Sequence, residues 1–501
     1  MRASSLVWFR NDLRVSDHHA LSAACAGEGG GAGVGGRAGG RGGGGVVGLY
    51  VISPGDWRRH DDAPVKIDLI LRSLVTLSDG LRRLNVPLLV RTASRPEEVP
   101  ELVERVAREC KVAEAHWVVE YPVHEVARDR LTAERLRRAG VRVVEHHDQV
   151  VLPPGSVLTG DGRAFTVFTP FKRAWMKRVA EMGGVALALA PKRQPAMACP
   201  SDPIPAAVDG FASSVSADLW PAGEPEAQRR LGAFVRNRIQ RYKADRDFPA
   251  IDGTSTLSPY LAIGAISPRQ CVVAAAEAND GRLDAGREGP VTWISEVVWR
   301  EFYRHVIAAY PRVSMGRAFK PGADRVKWAD NPEHLRAWCE GRTGVPIVDA
   351  AMRQLRATGW MHNRLRMIAA MYLTKDLFLD WRLGEAHFMR HLVDGDLAQN
   401  NGGWQWSAST GTDAAPYFRI FNPVSQSRRF DPQGAFIRRW VPELAGVEAD
   451  AIHDPGELPP LARARIDYPP VLVDHGRARA RVLAAFRLEG AGSGSAGDVD
   501  D

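Results

Sequence analysis

Long apolar runs are absent from this sequence of 501 residues. No run approaches the roughly 18 apolar residues that a membrane-spanning helix needs. The N-terminal stretch MRASSLVWFRNDLRV is interrupted by charges and lacks both the apolar segment and the cleavage site of a signal peptide. These absences argue against a membrane partner and against secretion, so we expect a cytoplasmic protein.

Cysteine is scarce. The five cysteines are widely spaced and odd in number, which argues against a disulfide framework and against a zinc knuckle, and suits a reducing compartment: Cys25, Cys110, Cys199, Cys271 and Cys339. The segment HFMRH places His387 and His391 one helical turn apart, but Phe388 stands where a zinc protease has glutamate. We therefore predict no metal site.

Several familiar catalytic signatures are also missing. The sequence has no Walker A motif and no recognisable Ser–His–Asp or Cys–His pairing. The glycine-rich stretch 27–45 contains the spacing G-x-G-x-x-G, but a helical pattern precedes it and a strand pattern follows it. A dinucleotide-binding fingerprint requires the reverse order. We interpret this stretch as a flexible surface loop inserted into the first domain.

The rest of the composition is that of a globular protein. Hydrophobic residues make up 45% and charged residues 25%, and the length predicts two or three domains. The net charge of +7 has two explanations, a general preference for arginine or a polyanionic partner. Charge alone favours the first explanation slightly.

The pattern of elements changes along the chain. In residues 1–148, strand-like runs (SSLVWF, VVGLYVI, VPLLVR, HWVVEY, VRVVEH) alternate with helical patterns at 63–84, 96–110 and 126–139, which predicts an α/β Rossmann-like domain with a parallel sheet. Residues 149–223 are rich in proline and predict an irregular inter-domain linker. Helical patterns dominate 224–485 and predict an all-helical domain. The last segment, 486–501, is predicted to be a disordered tail.

Tryptophan is concentrated in the helical half, where nine of the fourteen lie at or after Trp293. The segment WISEVVWREFYRH places Glu296, Trp299, Arg300 and Tyr303 on one helical face. Such a face can form a pocket wall that stacks on a flat ligand. The alternative is an amphipathic helix with a mixed rim.

Further polar segments surround this helix in the sequence. The segment TGWMHNRLRM would direct Asn363, Arg364 and Met367 to one side, and an asparagine in mid-helix needs a partner. The alternative for this segment is a solvated helix face.

The hydroxyl-rich segment DGTSTLSPY suits a phosphate cradle at a helix start, although an ordinary N-cap is the commoner explanation of such residues.

The segment VDGDLAQNNGGWQW carries Asp394 and Asp396 ahead of two closely spaced tryptophans, on a stretch that we interpret as turn-like. The segment 229–248 is strongly basic, which fits either phosphate contact or a solvated helix face. Taken together, these segments predict one large pocket in the helical domain for a dinucleotide cofactor, with a nucleic-acid partner.

The longest of these motifs resemble those of a known protein family. The segments WREFYRH, GWMHNRLRM and DGDLAQNNGGWQWSASTGTDAAPYFRIFNP, with LVWFRNDLR near the N-terminus and WVPEL near the end, resemble the photolyase/cryptochrome family. The match is best to class I cyclobutane pyrimidine dimer photolyases and departs in the insert 27–45 and the tail. It implies light-driven DNA repair by electron transfer from reduced FAD.

The resemblance also implies site residues. One FAD per chain would be bound by Tyr242, Thr254, Ser255, Thr256, Leu257, Ser258, Trp293, Glu296, Arg300, Asn363, Arg366, Asp394, Gly395, Asp396 and Asn400. Asn400 would face flavin N5, where a neutral amide tolerates the anionic reduced ring. Glu296 would hydrogen-bond the lesion during catalysis.

The tryptophans divide into two roles by resemblance. Trp404, Trp381 and Trp328 match the chain of rings that carries electrons between flavin and surface. Trp299 and Trp406 match the pair that grips a dimer flipped out of the DNA, since photolyases are among the enzymes known to extrude the base on which they act. Asn363 and Met367 would contact the lesion, and phosphates would meet Arg246, Arg364 and Arg419. The expected partner is single- or double-stranded DNA containing pyrimidine dimers, bound by a monomer.

The antenna chromophore is less well defined. Glu125 stands where folate-binding members have a glutamate, but His124 replaces the usual asparagine, and Ser314 and Met315 replace cysteine and lysine. The resemblance favours methenyltetrahydrofolate, with a deazaflavin or an empty site as alternatives.

Two other functions compete with repair. A cryptochrome uses the same fold for signalling, but signalling members usually carry long C-terminal extensions, and the pocket residues here match repair members. The other is a helical DNA-binding protein that does not use light, which would be colourless when purified.

Overall fold

The computed structural model describes residues 4–26, 44–413, 416 and 418–488. The glycine-rich insert and the tail beyond Leu488 therefore lie almost entirely outside the described residues. The chain divides into two compact units. Unit 1 contains Met1–Lys243, Thr254–Ala309 and Val393–Asp396, and unit 2 contains Ala244–Gly253, Tyr310–Leu392 and Leu397–Asp501.

Unit 1 is built on a five-stranded sheet in which every pairing is parallel, with the order β3-β2-β1-β4-β5. The strands are β1 Ser4–Phe9, β2 Val46–Ile52, β3 Leu88–Thr92, β4 Val112–Val118 and β5 Arg142–His146. All five predicted strands are confirmed. Consecutive residues Leu6 to Phe9 are buried, because a parallel sheet is covered on both faces.

Helices follow or precede each strand of the sheet. They are α1 His19–Ala26, α2 Pro54–Arg59, α3 Pro64–Arg83, α4 Val99–Glu109 and α5 Val123–Arg138. At the centre of the sheet, Trp8 of β1 pairs in register with Leu49 of β2 and with Trp117 of β4. The rings of Trp8 and Trp117 meet edge to face with centroids 5.8 Å apart.

The predicted linker is more ordered than its prolines indicated, because it contains helix α6 at Phe168–Glu181. Phe168, Phe171, Trp175 and Val179 are buried at helical spacing. The Trp175 indole N–H donates to the Glu301 carboxylate at 2.6 Å. The interpretation of 149–223 as irregular was therefore wrong for this segment, whose apolar period lay hidden between proline-rich stretches.

Beyond residue 146 the named elements of the described chain are all helical, which confirms the predicted helical half. In unit 1 these are α7 Glu224–Asn237, α8 Tyr242–Asp245 (shared with unit 2), α9 Ser258–Ala262, α10 Pro268–Glu277 and α11 Glu288–Ala309. In unit 2 they are α12 Pro332–Glu340, α13 Pro346–Thr358, α14 Asn363–Met371, α15 Trp381–Met389, α16 Leu397–Ala408, α17 Pro423–Phe430, α18 Ala435–Trp440, α19 Pro460–Arg463 and α20 His475–Leu488. The predicted domain boundaries stay predictions, although α20 continues past residue 485.

Two local expectations were wrong. The stretch around Trp404 and Trp406 is not turn-like, because helix α16 runs through both glycines, 402 and 403, to Ala408. Asn363 is not in mid-helix either, because it is the first residue of α14, after the cap residue His362. A segment of π-helix, Tyr372–Asp376, follows α14 directly.

No helix among the described residues is long and apolar enough to cross a membrane.

Candidate functional site

An aromatic cluster in unit 1 brings together two of the predicted cofactor residues. The Phe234 ring of α7 contacts the rings of Tyr242 and Trp293, with centroids 5.7 Å and 4.9 Å away. All three side chains are buried. Sequence reasoning missed Phe234, although its apolar spacing from Leu231 on α7 marks it as inward-facing.

Two arginines lie farther along α11, Arg300 half-buried and Arg304 buried. The Arg300 guanidinium donates to the backbone carbonyls of Gln149 and Leu261, at 2.7 Å and 3.0 Å. Burial lowers the pKa of Arg300 to about 9, with the positive charge of Arg304 as a second cause. Arg304 in turn forms an ion pair with Asp396 at 2.5 Å. Arg304 was not predicted, but it lies one helical turn after Arg300 and fixes the position of a predicted residue.

The hydroxyl-rich segment 254–258 ends where α9 begins, at Ser258, as predicted. Thr256 has a left-handed backbone with a φ of +50°, which bends the chain sharply before the helix. Its hydroxyl oxygen accepts a hydrogen bond from the Arg230 guanidinium at 3.0 Å. The segment therefore has a tight loop and a cation beside it, which is the donor chemistry that a phosphate group requires.

Glu296 and Trp299 also lie on α11, on the face predicted for them, and both are half-buried. The Trp299 ring stacks on Phe168 with centroids 3.7 Å apart and planes 10° apart. One face of this predicted lesion-gripping ring is therefore held by α6. Asp394 and Gly395 precede α16 in the same unit as Asp396.

In unit 2, two predicted phosphate-binding arginines share one carboxylate. Arg364 and Arg246 lie 3.1 Å and 3.9 Å from Asp247, and the Arg364 guanidinium stacks 4.2 Å over the Phe430 ring. Asn363 is exposed at the start of the same helix, and Met367 is half-buried one turn later. The guanidinium of Arg366 donates to the Met361 carbonyl at 2.9 Å.

The side chain of His362 is turned into the cap of α14. Its Nδ1 accepts the backbone N–H of Arg364 at 3.2 Å, and the ring is only 3% exposed. Burial lowers the pKa of His362 to about 4, so the ring is neutral at physiological pH. The ring points into the cap rather than along the helix, because His362 precedes the first residue of α14.

The three tryptophans of the predicted electron-transfer chain belong to one hydrophobic core in unit 2. Trp404 and Trp381 are 2% and 0% exposed, whereas Trp328 is partly buried at the edge of that core. Among the described residues, neither Trp404 nor Trp381 has a hydrogen-bond acceptor for its buried indole N–H. Trp328 is therefore the most exposed of the three rings.

Helix α16 is held against α15 by its amides. Asn400 Nδ2 donates to the Glu385 carbonyl at 2.9 Å, and Asn401 Nδ2 donates to the Glu385 carboxylate at 2.8 Å. These bonds orient the Asn400 amide. Trp406 is half-buried near the end of the same helix, and Arg419 is exposed beyond it.

The end of α16 is fixed by Lys375, a residue that sequence reasoning missed. Its ammonium donates to Ser409 Oγ at 2.8 Å and to the Ala408 carbonyl at 3.3 Å, and it is fully buried. Burial, followed by the positive charge of Lys320, lowers the pKa of Lys375 to about 7. The available signal was a lysine within the apolar run MYLTKDLFL.

Glu125 of α5, the predicted antenna residue, forms an ion pair with His60 at 2.7 Å. Burial would raise the pKa of Glu125, but the interaction with His60 outweighs it and lowers the pKa to about 2. The His124 ring lies 6.2 Å from the His60 ring. His60 was not predicted. Among the described residues, no group of three or more His, Cys, Asp or Glu side chains is placed to hold a metal.

We expect the substitution Gly384→Ala to disrupt the contact between α15 and α16, because a Cβ at Gly384 would overlap the Trp404 ring. Overpacking of this kind costs about 1–3 kcal/mol. Gly403→Ala is the matched control, since the position lies in α16 next to Trp404 and a Cβ there would meet nothing within 4 Å. Denaturant unfolding should show a loss for the first variant and no loss for the second. Equal effects would contradict the packing described here.

We also expect Lys375 to make stability depend on pH. The unfolded state keeps the lysine proton up to about pH 10.5, whereas the folded state releases it near pH 7. Between these values the unfolded state binds more protons, so stability rises with pH. Wild type should therefore gain up to about 1.4 kcal/mol per pH unit relative to Lys375→Met above pH 7.

The measurement is the denaturant midpoint between pH 6 and pH 9. Lys177→Met, which removes a lysine that is 80% exposed, should follow the wild-type curve. Parallel curves for wild type and Lys375→Met would show that the amine is not buried as described.

The residues present fit a flavin dinucleotide. The segment 254–258 with Arg230 offers donors for phosphates, the cluster of Phe234 and Trp293 offers flat apolar surface, and Asp396 is a carboxylate held ready for hydroxyl donors. In unit 1, Arg230 and Phe234 lie on α7 and Trp293 lies on α11, whereas 254–258 leads into α9 and Asp396 lies in the segment Val393–Asp396.

Comparisons with known proteins agree with this chemistry. Residues 5–196 match the model of the family described as DNA photolyase, and residues 293–488 match the FAD-binding domain of DNA photolyase. A deoxyribodipyrimidine photo-lyase of Escherichia coli is 44% identical over 96% of this chain and 98% of its own length.

Among solved structures, a class III photolyase from Agrobacterium tumefaciens is 33% identical with a TM-score of 0.82, covering 98% of both chains. A cryptochrome from Synechocystis is 25% identical with a TM-score of 0.81, covering 96% of this chain and 99% of its own. The resemblance seen in the sequence is confirmed, and this chain belongs to the DNA photolyase family.

Proposed function

We propose that this chain uses light and one bound FAD to split cyclobutane pyrimidine dimers in DNA. The assignment of the lesion rests on the start of α14. There an exposed asparagine, Asn363, follows a histidine whose ring is buried in the helix cap. Repair of a 6–4 product moves an oxygen and needs a proton donor at the lesion. Splitting a cyclobutane ring moves no oxygen, so an amide that hydrogen-bonds a base edge is sufficient.

Different residues would bind different parts of the cofactor. When bound, FAD supplies the light-driven electron that opens the dimer. Thr254 to Ser258 would bind its phosphates, Asp396, held by Arg304, would accept from its hydroxyl groups, and Trp293 would pack on its flat surface. Asn400 presents an amide whose N–H is already donated to Glu385, so its orientation is set before the cofactor binds. Such preorganisation lowers the reorganisation cost of the reaction.

Glu296 and Trp299 act on the substrate from α11. The half-buried carboxyl group of Glu296 hydrogen-bonds the lesion, where reduced access of water strengthens electrostatic stabilisation. Trp299, held on one face by Phe168, presents its remaining surface to the flipped bases. In unit 2, Trp406, Asn363 and Met367 are the residues we assign to lesion binding. Stacking of a base on an aromatic ring such as that of Trp406 contributes about 1–3 kcal/mol.

The DNA backbone is bound by arginines. Arg364 and Arg246 neutralise phosphates, and the shared carboxylate of Asp247 keeps both side chains in one place. Arg419 adds an exposed charge. The observations are compatible with either single- or double-stranded substrate and with a monomer in the cytoplasm.

Trp404, Trp381 and Trp328 would carry electrons from an external reductant at the surface to oxidised FAD. A tryptophan that loses an electron becomes acidic at its N–H, and deprotonation would trap the charge. Neither buried indole has an acceptor among the described residues, so the positive charge stays mobile and passes outward.

For the antenna we propose methenyltetrahydrofolate near Glu125. Its carboxylate stays ionised because of His60 and can accept the paired N–H groups of a pterin ring. A deazaflavin lacks that donor edge, and it remains the alternative together with an unfilled site.

The test of function is illumination of the reduced enzyme with oligonucleotides bearing each lesion, followed by chromatography. We expect light-dependent loss of the cyclobutane dimer and no turnover of the 6–4 product. A reaction in the dark, or turnover of the 6–4 product, would contradict the proposal. Bound FAD without repair of either lesion would instead favour a cryptochrome function, for which the similarity to the Synechocystis structure is the supporting observation.

A second prediction separates the tryptophan chain from repair. Trp328→Phe should slow photoreduction of oxidised flavin by an external reductant at least tenfold, because phenylalanine is much harder to oxidise. Repair by chemically reduced enzyme should stay near wild type, since the cofactor then acts on the lesion directly. Trp440→Phe, at another edge of the same core, is the control and should change neither rate. Equal loss of both activities in Trp328→Phe would assign this ring a structural role.

A further inference from the structure

The phosphate-binding segment proposed above contains no cation of its own. Residues 254–258 have the sequence TSTLS, so they offer hydroxyls and backbone N–H groups but no positive charge. The diphosphate of a flavin dinucleotide carries two negative charges, and their burial needs compensation. A cation reaches this segment from helix α7, where the Arg230 guanidinium donates to Thr256 Oγ1.

The position of Arg230 is fixed by several contacts. Its Nε donates to Glu226 at 2.7 Å, Nη1 donates to Thr256 Oγ1 at 3.0 Å, and Nη2 donates to the Leu219 carbonyl at 3.3 Å. The guanidinium carbon also lies over two rings, 5.4 Å from Trp220 and 5.3 Å from Tyr260. A guanidinium has five N–H groups, so one N–H on each terminal nitrogen remains for a further acceptor.

The neighbouring arginine shows what is particular to this position. Arg229 also pairs with Glu226, at 2.6 Å, but its side chain is 64% exposed, whereas that of Arg230 is 17% exposed. The two residues therefore share a carboxylate, a helix and a charge, and they differ in that Arg230 contacts the loop. Arg229 is a matched internal control.

We propose that Arg230 is a cofactor-positioning residue that supplies the positive charge of the phosphate-binding segment. It binds a phosphate oxygen of FAD with its remaining N–H groups while it holds Thr256 in the left-handed turn. This inference rests on the proposed binding of FAD and assigns part of that site to a residue on a different element. Glu226 orients the guanidinium without reaching the cofactor.

The experiment measures release of FAD from the holoenzyme by the rise in flavin fluorescence on dilution, at increasing KCl concentrations. Arg230→Gln should weaken FAD binding about ten- to a hundredfold, as expected for loss of a charged hydrogen bond. Its affinity should also depend less on KCl than that of wild type, because a screened charge pair is gone. Arg229→Gln should bind FAD within about twofold of wild type, since exposed charges contribute little.

Arg230→Lys distinguishes a phosphate contact from a purely structural clamp. Lysine retains the charge but loses the fork of donors, so we expect an intermediate affinity with the wild-type dependence on KCl. If Arg230→Gln does not fold, this variant and Arg229→Gln decide the question. Lower thermal stability of Arg230→Lys with wild-type FAD affinity would overturn the proposal.

Other outcomes are equally decisive. Equal FAD affinity in Arg230→Gln and Arg229→Gln would also overturn the role of Arg230 and leave the proposed function intact. If purified wild type contains no FAD, the proposed function itself fails, and the two failures are thus distinguishable.

Discussion

The close approach of helices α15 and α16 is the constraint on which the site in unit 2 depends. Gly384 has no side chain, and the Trp404 ring occupies the space that a Cβ would fill. This contact lets the two helices lie near enough for Asn400 and Asn401 to reach Glu385. Trp381, Asn400, Trp404 and Trp406 all lie on this helix pair. A wider separation between the helices would loosen the rings and the oriented amide together.

Unit 1 depends on a different principle, the compensation of buried charge. Arg300 donates to two backbone carbonyls, and Arg304 forms an ion pair with Asp396. Removing one partner of such a group leaves an uncompensated charge in a medium that solvates it poorly, which is far more costly than losing an exposed pair. The arrangement places cations around α11 and α7 before any ligand arrives. Anionic phosphates and a reduced flavin are the ligands that such a surface would favour.

The tryptophans illustrate how environment separates roles within one residue type. Trp404 and Trp381 lie in a dry core, where the described part of the chain offers no acceptor for their N–H groups, and Trp328 lies at the edge of that core. Trp299 instead stacks on Phe168 at a half-buried position on α11. The indole ring is the same in every case. Burial, the presence of a hydrogen-bond acceptor and a free ring face decide whether it can transfer charge or contact a base.

The sequence by itself determined the parallel sheet, the helical half and the family, because periodicity and long motifs are local properties of the chain. All five strands and the helix around Glu296 could be predicted in this way. The family motifs also identified Asn363, Asn400 and Asp396 as site residues, although their roles stay proposals. Helix α6 was missed because proline-rich stretches on both sides hid its apolar period. Helix α16 was missed because two glycines in succession are unfavourable inside a helix.

Tertiary structure alone decided the partners of these residues. The pairs are Arg230 with Thr256, Arg304 with Asp396, His60 with Glu125, and Lys375 with the end of α16. Every one of these pairs joins segments that are far apart in the chain, and none has a local signature in the sequence. A charged side chain looks the same in a sequence whether it is solvated or buried. Its partner, and therefore its pKa and its chemical use, exists only once the chain has folded and brought distant segments into contact.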